Sequence, residues 1–273
     1  MTTVTADRLL HQQKADKPDD RHIDPVSATT GRLRASATLT LETLQGRLLF
    51  NGRKESEGRD RIIGLRGFGS LLTAIWHGAG KDCPWAWAHL VRIEERLNTR
   101  KAEIDAMVAE LAAVMEAAPG LNHEEAHSIE PFVVTLRFST PYSFIGAELL
   151  SEYDHLVRLA MQAHHTGRCG DVKTHRLINL GGKAVRSAFE SAWGYKNSNL
   201  TTVDLLKKQK AKETQSTIEV LGQVPESVLK GLQRPSFTPR PLNAFTPTFF
   251  RYGVTQDIES SDQPKYQDND KAS

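Results

Sequence analysis

A chain of 273 residues can bury a sizeable core as one large or two small domains, and its 39% hydrophobic and 25% charged content lies slightly on the polar side of ordinary soluble proteins. No apolar run approaches a bilayer span and the first 31 residues hold no apolar signal core, so neither a membrane anchor nor a secretory signal is expected and the chain should stay in the cytoplasm. Two cysteines, Cys83 and Cys169, are too few for a disulfide framework, stand outside CxxC pairs and read as reduced thiols.

Met1 to Gly31 is polar, with few large apolar residues, and reads as a flexible arm. At Leu33 a pattern begins. Leu33, Ala35, Ala37, Leu39 and Leu41 alternate with Arg34, Ser36, Thr38 and Thr40, as the two faces of a strand require. From Leu41 the apolar step becomes helical through Leu44, Leu48 and Leu49, so the strand runs straight into a helix ending near Phe50. Gly46 costs that helix ~1 kcal/mol relative to alanine. A two-stranded ribbon is narrow enough for the DNA major groove, where short polar side chains reach base edges, and a second copy of the chain would supply the second strand. The same residues fit, as the commoner case, an ordinary strand of an α+β domain with a solvated polar face.

Asn51 to Arg61 is charged, carries Gly52 and Gly58, and reads as a loop. Ile62 to His77 forms an amphipathic helix through Leu65, Phe68, Leu71, Leu72, Ile75 and Trp76, ended by Gly78, Gly80 and Pro84. The longest helical stripe runs from Trp85 to Ala118 and spans ~50 Å if straight, with Asn98-Thr99 as the place for a bend. Phe132 to Phe138 alternates again, with Val133, Thr135 and Arg137 on its second face, and predicts a second strand. Helices follow at Pro141 to about His165, Asp171–Phe189 and Thr202–Leu221, the last capped by Thr202 with Asp204 in its first turn. A helical turn around Pro225 to Leu232 precedes a proline-interrupted segment and a tail without a core-building pattern.

Charge is segregated along the chain. Residues 32–101 carry 13 Lys/Arg against 7 Asp/Glu, residues 102–155 carry 1 against 10, and residues 156–213 carry 11 against 4. Two basic blocks around an acidic one suit a phosphate-facing surface, or pair with one another inside the fold.

Motifs for chemistry are weak. His123-Glu124-Glu125-Ala126-His127 matches the zinc-protease pattern H-E-x-x-H, but it is boxed between Pro119-Gly120 and Pro131 without the apolar flank of a zincin helix. His164, His165, Cys169 and His175 fit no common zinc spacing and read as a solvated helix end. Lys207, Lys208, Lys210 and Lys212 surround one helix and read first as a solvated face. Trp76, Trp85 and Trp87 sit in apolar stripes and read as core. No glycine-rich phosphate loop or nucleophile elbow occurs. No catalytic residue, metal or cofactor is therefore expected, and the chain is not read as an enzyme.

Five segments, LETLQGRLLFNGR, IIGLRGFGSLLTAIWHGAGKDCPWAWAHLVRIEERL, LRFSTPYSFIGAELLSEYDHLVRLAMQAHHTG, VRSAFESAWGYKNSNLTTVDL and GQVPESVLKGLQRPSFTP, together resemble a family encoded on integrating conjugative elements and related plasmids, that of AcaB-type transcriptional regulators. The likeness runs from about Leu33 to Arg240. Such regulators are similar to ribbon-helix-helix proteins, in which paired strands from two subunits read the major groove. The resemblance implies Arg34, Ser36, Thr38 and Thr40 as base or phosphate contacts, with Arg47 and Arg53 as supporting phosphate ligands.

The expected fold is mainly α (α+β), a helical bundle with two short β segments and a ribbon-helix-helix-like strand near the N-terminus. Residues 1–31 form an arm, 32–240 one α-rich domain and 241–273 a tail. The expected function is a DNA-binding transcriptional regulator of a conjugative element or plasmid. Its partners are double-stranded promoter or operator DNA, a second copy of the chain in a homodimer, and other conjugation proteins, with no membrane. The alternative is a structural or accessory protein of the conjugation machinery that never touches DNA.

Overall fold

The computed structural model describes residues 37–116, 125–207 and 211–239, so the expected arm and the tail from residue 241 lie outside the described residues. Eight helices and one two-stranded sheet occur among these residues. Helix α4 (Pro141–His165) is the one the others pack on. Its start is encoded locally. Thr140 caps it by accepting the Ser143 N–H, and Pro141 occupies the first turn, where a missing N–H costs nothing.

Helices α3 (Pro84–Glu116) and α5 (Asp171–Glu190) close a three-helix core against α4, while α1 (Leu44–Asn51) and α2 (Leu65–Gly80) flank it. The apolar periodicity of these segments accounts for the arrangement. Phe68, Trp87, Tyr142 and Phe189 are fully buried where the stripes meet. Burying each such side chain stabilises the fold by about 1.5–3 kcal/mol. The rings of Phe68 and Phe189 stack with centroids 4.8 Å apart. Gly146 on α4 makes room for them, since a Cβ there would lie 2.7 Å from the Phe68 ring. Trp85 and Trp87 are core residues, as their stripe predicts, and Trp76 is half-buried.

Helix α3 is continuous through Asn98-Thr99, and the Thr99 hydroxyl donates back to the Glu95 carbonyl at 2.7 Å. The helix expected over Thr202–Leu221 is two helices, α6 (Thr202–Leu206) and α7 (Ala211–Leu221). Thr201, one residue earlier than expected, is the cap and forms a reciprocal capping box with Asp204. Thr202 is committed elsewhere, donating from its hydroxyl to the Asp82 carboxylate at 3.0 Å. Asp82 itself takes a φ of 62°, a left-handed turn conformation that aspartate tolerates better than most residues. A short α8 (Glu226–Leu229) buries Val228 in the same core. Among the described residues no helix is long and apolar enough to cross a membrane.

Candidate nucleic-acid interface

Strand β1 (Ala37–Leu41) pairs antiparallel with β2 (Phe132–Leu136). The alternation in the two segments predicts both strands, but the partner foreseen for β1 was a second copy of the chain. Within this chain that place is taken by β2. The inner face packs through buried Leu39, Leu41 and Leu136, and the Phe132 ring sits 5.2 Å from that of Phe50. The outer face is presented to solvent. The register sets Thr38 opposite Thr135 and Thr40 opposite Val133, and all four side chains are exposed. The ribbon thus carries a two-by-two grid of hydroxyls and methyl groups, about 17 Å long.

Its mounting depends on a residue far away in sequence. The buried Asp154 carboxylate on α4 accepts the Glu42 N–H at 2.8 Å, the Thr43 N–H at 3.0 Å and the Thr43 hydroxyl at 2.5 Å. Thr43 then caps α1 by accepting the Gly46 N–H at 3.0 Å. One carboxylate therefore sets the corner at which the strand becomes a helix. Gly46 sits directly against it, which is why a helix-weakening residue stands inside α1.

The ribbon's two ends differ in charge. At the Leu41/Phe132 end, Glu42 accepts the Ser128 N–H at 2.8 Å and lies 3.2 Å from His127 and 3.6 Å from Arg158, which also reaches Glu125. The Ser128 N–H bond, opposed by desolvation and helped by His127 and Arg158, holds the Glu42 carboxyl below its ordinary value. At the Ala37/Leu136 end the next residue is Arg137, exposed and without an ion pair among the described residues. The end from which Arg34 is reached in sequence is therefore the basic one.

Of the expected contact residues, Thr38 and Thr40 share the ribbon's outer face, while Arg34 and Ser36 lie outside the described residues. Arg47 is exposed on α1 and makes no ion pair among the described residues. Arg53 follows α1 and turns into its own loop, donating from Nε and Nη2 to the Asp60 carbonyl at 3.2 and 2.9 Å. Val133, Thr135 and Arg137 complete the surface. Their alternation was readable, but nothing local in the sequence assigned them as the other half of the ribbon.

The metal motifs do not assemble. His123 and Glu124 lie outside the described residues, Glu125 to His127 is not helical, and His127 turns to Glu42. His164 faces the Cys169 carbonyl at 3.2 Å, and His175 pairs with Asp171 at 3.3 Å. Among the described residues no group of three or more His, Cys, Asp or Glu side chains is placed to hold a metal ion. Lys207 and Lys212 are exposed, and Lys208 and Lys210 lie outside the described residues.

A family model described as transcriptional regulator AcaB matches residues 29–241. Among solved structures, the crystal structure of selenomethionine-containing AcaB from uropathogenic E. coli is similar at 14% identity, with a TM-score of 0.48, covering 73% of this chain and 96% of that one. No protein of curated function matched.

Proposed function

The chain belongs to the family of the transcriptional regulator AcaB, and from that premise we propose that it is a DNA-binding regulator of a conjugative element that inserts its β1–β2 ribbon into the major groove. The observation that carries this reading is the outward grid of Thr38, Thr40, Val133 and Thr135. A ribbon fits a groove ~12 Å wide, threonine hydroxyls donate to or accept from base edges, and the methyls of Thr and Val match the thymine methyl. Phosphates on either side fall to Arg34, Ser36 and Arg47, joined by Arg137 at the basic end of the ribbon, while Arg53 is turned into its own loop. A homodimer then brings two ribbons, one from each protomer, to two half-sites of a palindromic operator.

The test is binding to fragments upstream of neighbouring genes, followed as a function of salt. Each neutralised phosphate contributes about −0.9 to the slope of log K against log salt. A steep slope with preference for one fragment is expected, together with loss of that preference in Thr38→Ala/Thr135→Ala. A flat salt response, or no retention of any fragment at low salt, refutes the reading and leaves the accessory-protein alternative. The solution mass of the free protein decides on the dimer.

A further inference from the structure

Apart from the ribbon, a cavity of about 570 Å³ opens between the loop after α1, the first turns of α2 and Trp193. That size is within the range of small-molecule sites, roughly 300–1,000 Å³. Three cations line it, Arg53, Lys54 and Arg61, against a single carboxylate, Glu55. Arg53 and Lys54 make no ion pair among the described residues, and the Arg53 guanidinium is held in place by the Asp60 carbonyl. Arg61 lies 3.6 Å from Glu190. Its guanidinium is also stacked 3.1 Å from the centroid of the Trp193 ring. Trp193 is 50% exposed, far more than a side chain of its size needs to be in a core so rich in aromatics.

We infer that this cavity binds a nucleoside phosphate, its base extending the Arg61–Trp193 stack and its phosphates held by Arg53 and Lys54. The chemistry is specific on both sides. Guanidinium and indole planes stack on the π-face of a base, and an arginine already aligned on a ring loses little freedom when a third plane joins. An anchored guanidinium, Arg53, and an exposed ammonium, Lys54, meet phosphate oxygens with charge-assisted hydrogen bonds. An apolar wall from Ile62, Ile63 and Leu71 completes a pocket that neither a bare anion nor a bare aromatic would fill. The ligand meant is a free nucleotide, which gives the regulator an effector site. That assigns Arg53 to the pocket and not to duplex phosphate.

The experiment is calorimetric titration of the full chain with ATP and GTP, beside inorganic triphosphate, the matching nucleosides and a short DNA duplex. Binding of at least one nucleotide is expected, with triphosphate and nucleoside each weaker by about tenfold or more. Trp193→Ala and Lys54→Ala should each weaken it by about tenfold, and circular dichroism of the two variants should match the parent. No heat with either nucleotide at millimolar concentration overturns the inference. So does equal affinity for inorganic triphosphate, or undiminished binding in both variants. Displacement of the nucleotide by equimolar duplex also overturns it and returns Arg53 to the DNA surface. Promoter binding is measured separately on the same samples, so failure of this site and failure of the ribbon reading are distinguishable.

Discussion

Gly46→Ala is expected to destabilise the protein, although alanine is the better helix former by ~1 kcal/mol. The new methyl would collide with Asp154 Oδ1 and lie 3.1 Å from Asp154 Cγ and 3.3 Å from Thr43 Oγ1. A flexible carboxylate would swing aside at small cost, but this one is buried and held by three donors. Moving Oδ1 gives up the bonds from the Thr43 N–H and hydroxyl, and hydrogen bonds to a charged group contribute about 1.5–3 kcal/mol each. Against the propensity gain, a net loss of about 2 kcal/mol follows even with partial relaxation, or ~5 °C in Tm for a chain of this size. Urea unfolding of Gly46→Ala, Asp154→Ala and the double variant forms a closed cycle. With Asp154 removed, the alanine should become neutral or stabilising. A midpoint raised by Gly46→Ala alone, or a cost that persists in the Asp154→Ala background, would refute the reasoning.

His89 and Glu42 give the acid limb of stability two separable parts. Burial, reinforced by nearby Arg92, depresses the His89 pKa from 6.5 to about 4. The unfolded chain takes up this proton first, so the stability from neutral His89 is complete above pH 6.5 and is lost as pH falls toward about 4, by up to about 3 kcal/mol. Unfolding of His89→Leu across pH 4 to 7 should be flatter than the parent, and an unchanged profile would disprove the assignment. Glu42, with its pKa lowered, contributes stability above its ordinary value of 4.5 that disappears as pH falls through the folded one. Glu42→Gln should be less stable at neutral pH and no longer lose that increment in acid. On DNA, Arg47→Ala and Arg137→Ala should each reduce the salt slope by about 0.9 while leaving sequence preference intact, as read by anisotropy titrations.

The helices that build the core were legible because each repeats apolar residues at its own period, and α2, α4 and α5 fall close to where those stripes place them. What escaped depends on residues far apart in the chain. The strand pattern at Thr38 and Thr40 and that at Val133 and Thr135 were each visible, but the pairing of the two belongs to the fold and not to either segment. Asp154 offers no local hint that it fastens Glu42 and Thr43, 112 and 111 residues away. The cap of α6 was misplaced by one because Thr201 and Thr202 are chemically alike, and only the Asp82 contact, 120 residues distant, tells them apart. Trp193 lies in a turn after α5, outside any apolar stripe, so its stacking with Arg61 left no periodic signal.

The two strands of the ribbon stand about a hundred positions apart, with α1, α2 and α3 between them. Closing so long a span costs loop entropy that neither segment repays by itself, so the two-stranded surface depends on the packed helices between its strands. A chain still on the ribosome before residue 136, or one cut short there, lacks the second strand altogether. On the proposed reading, such a nascent or truncated copy would have no two-stranded surface to offer to DNA.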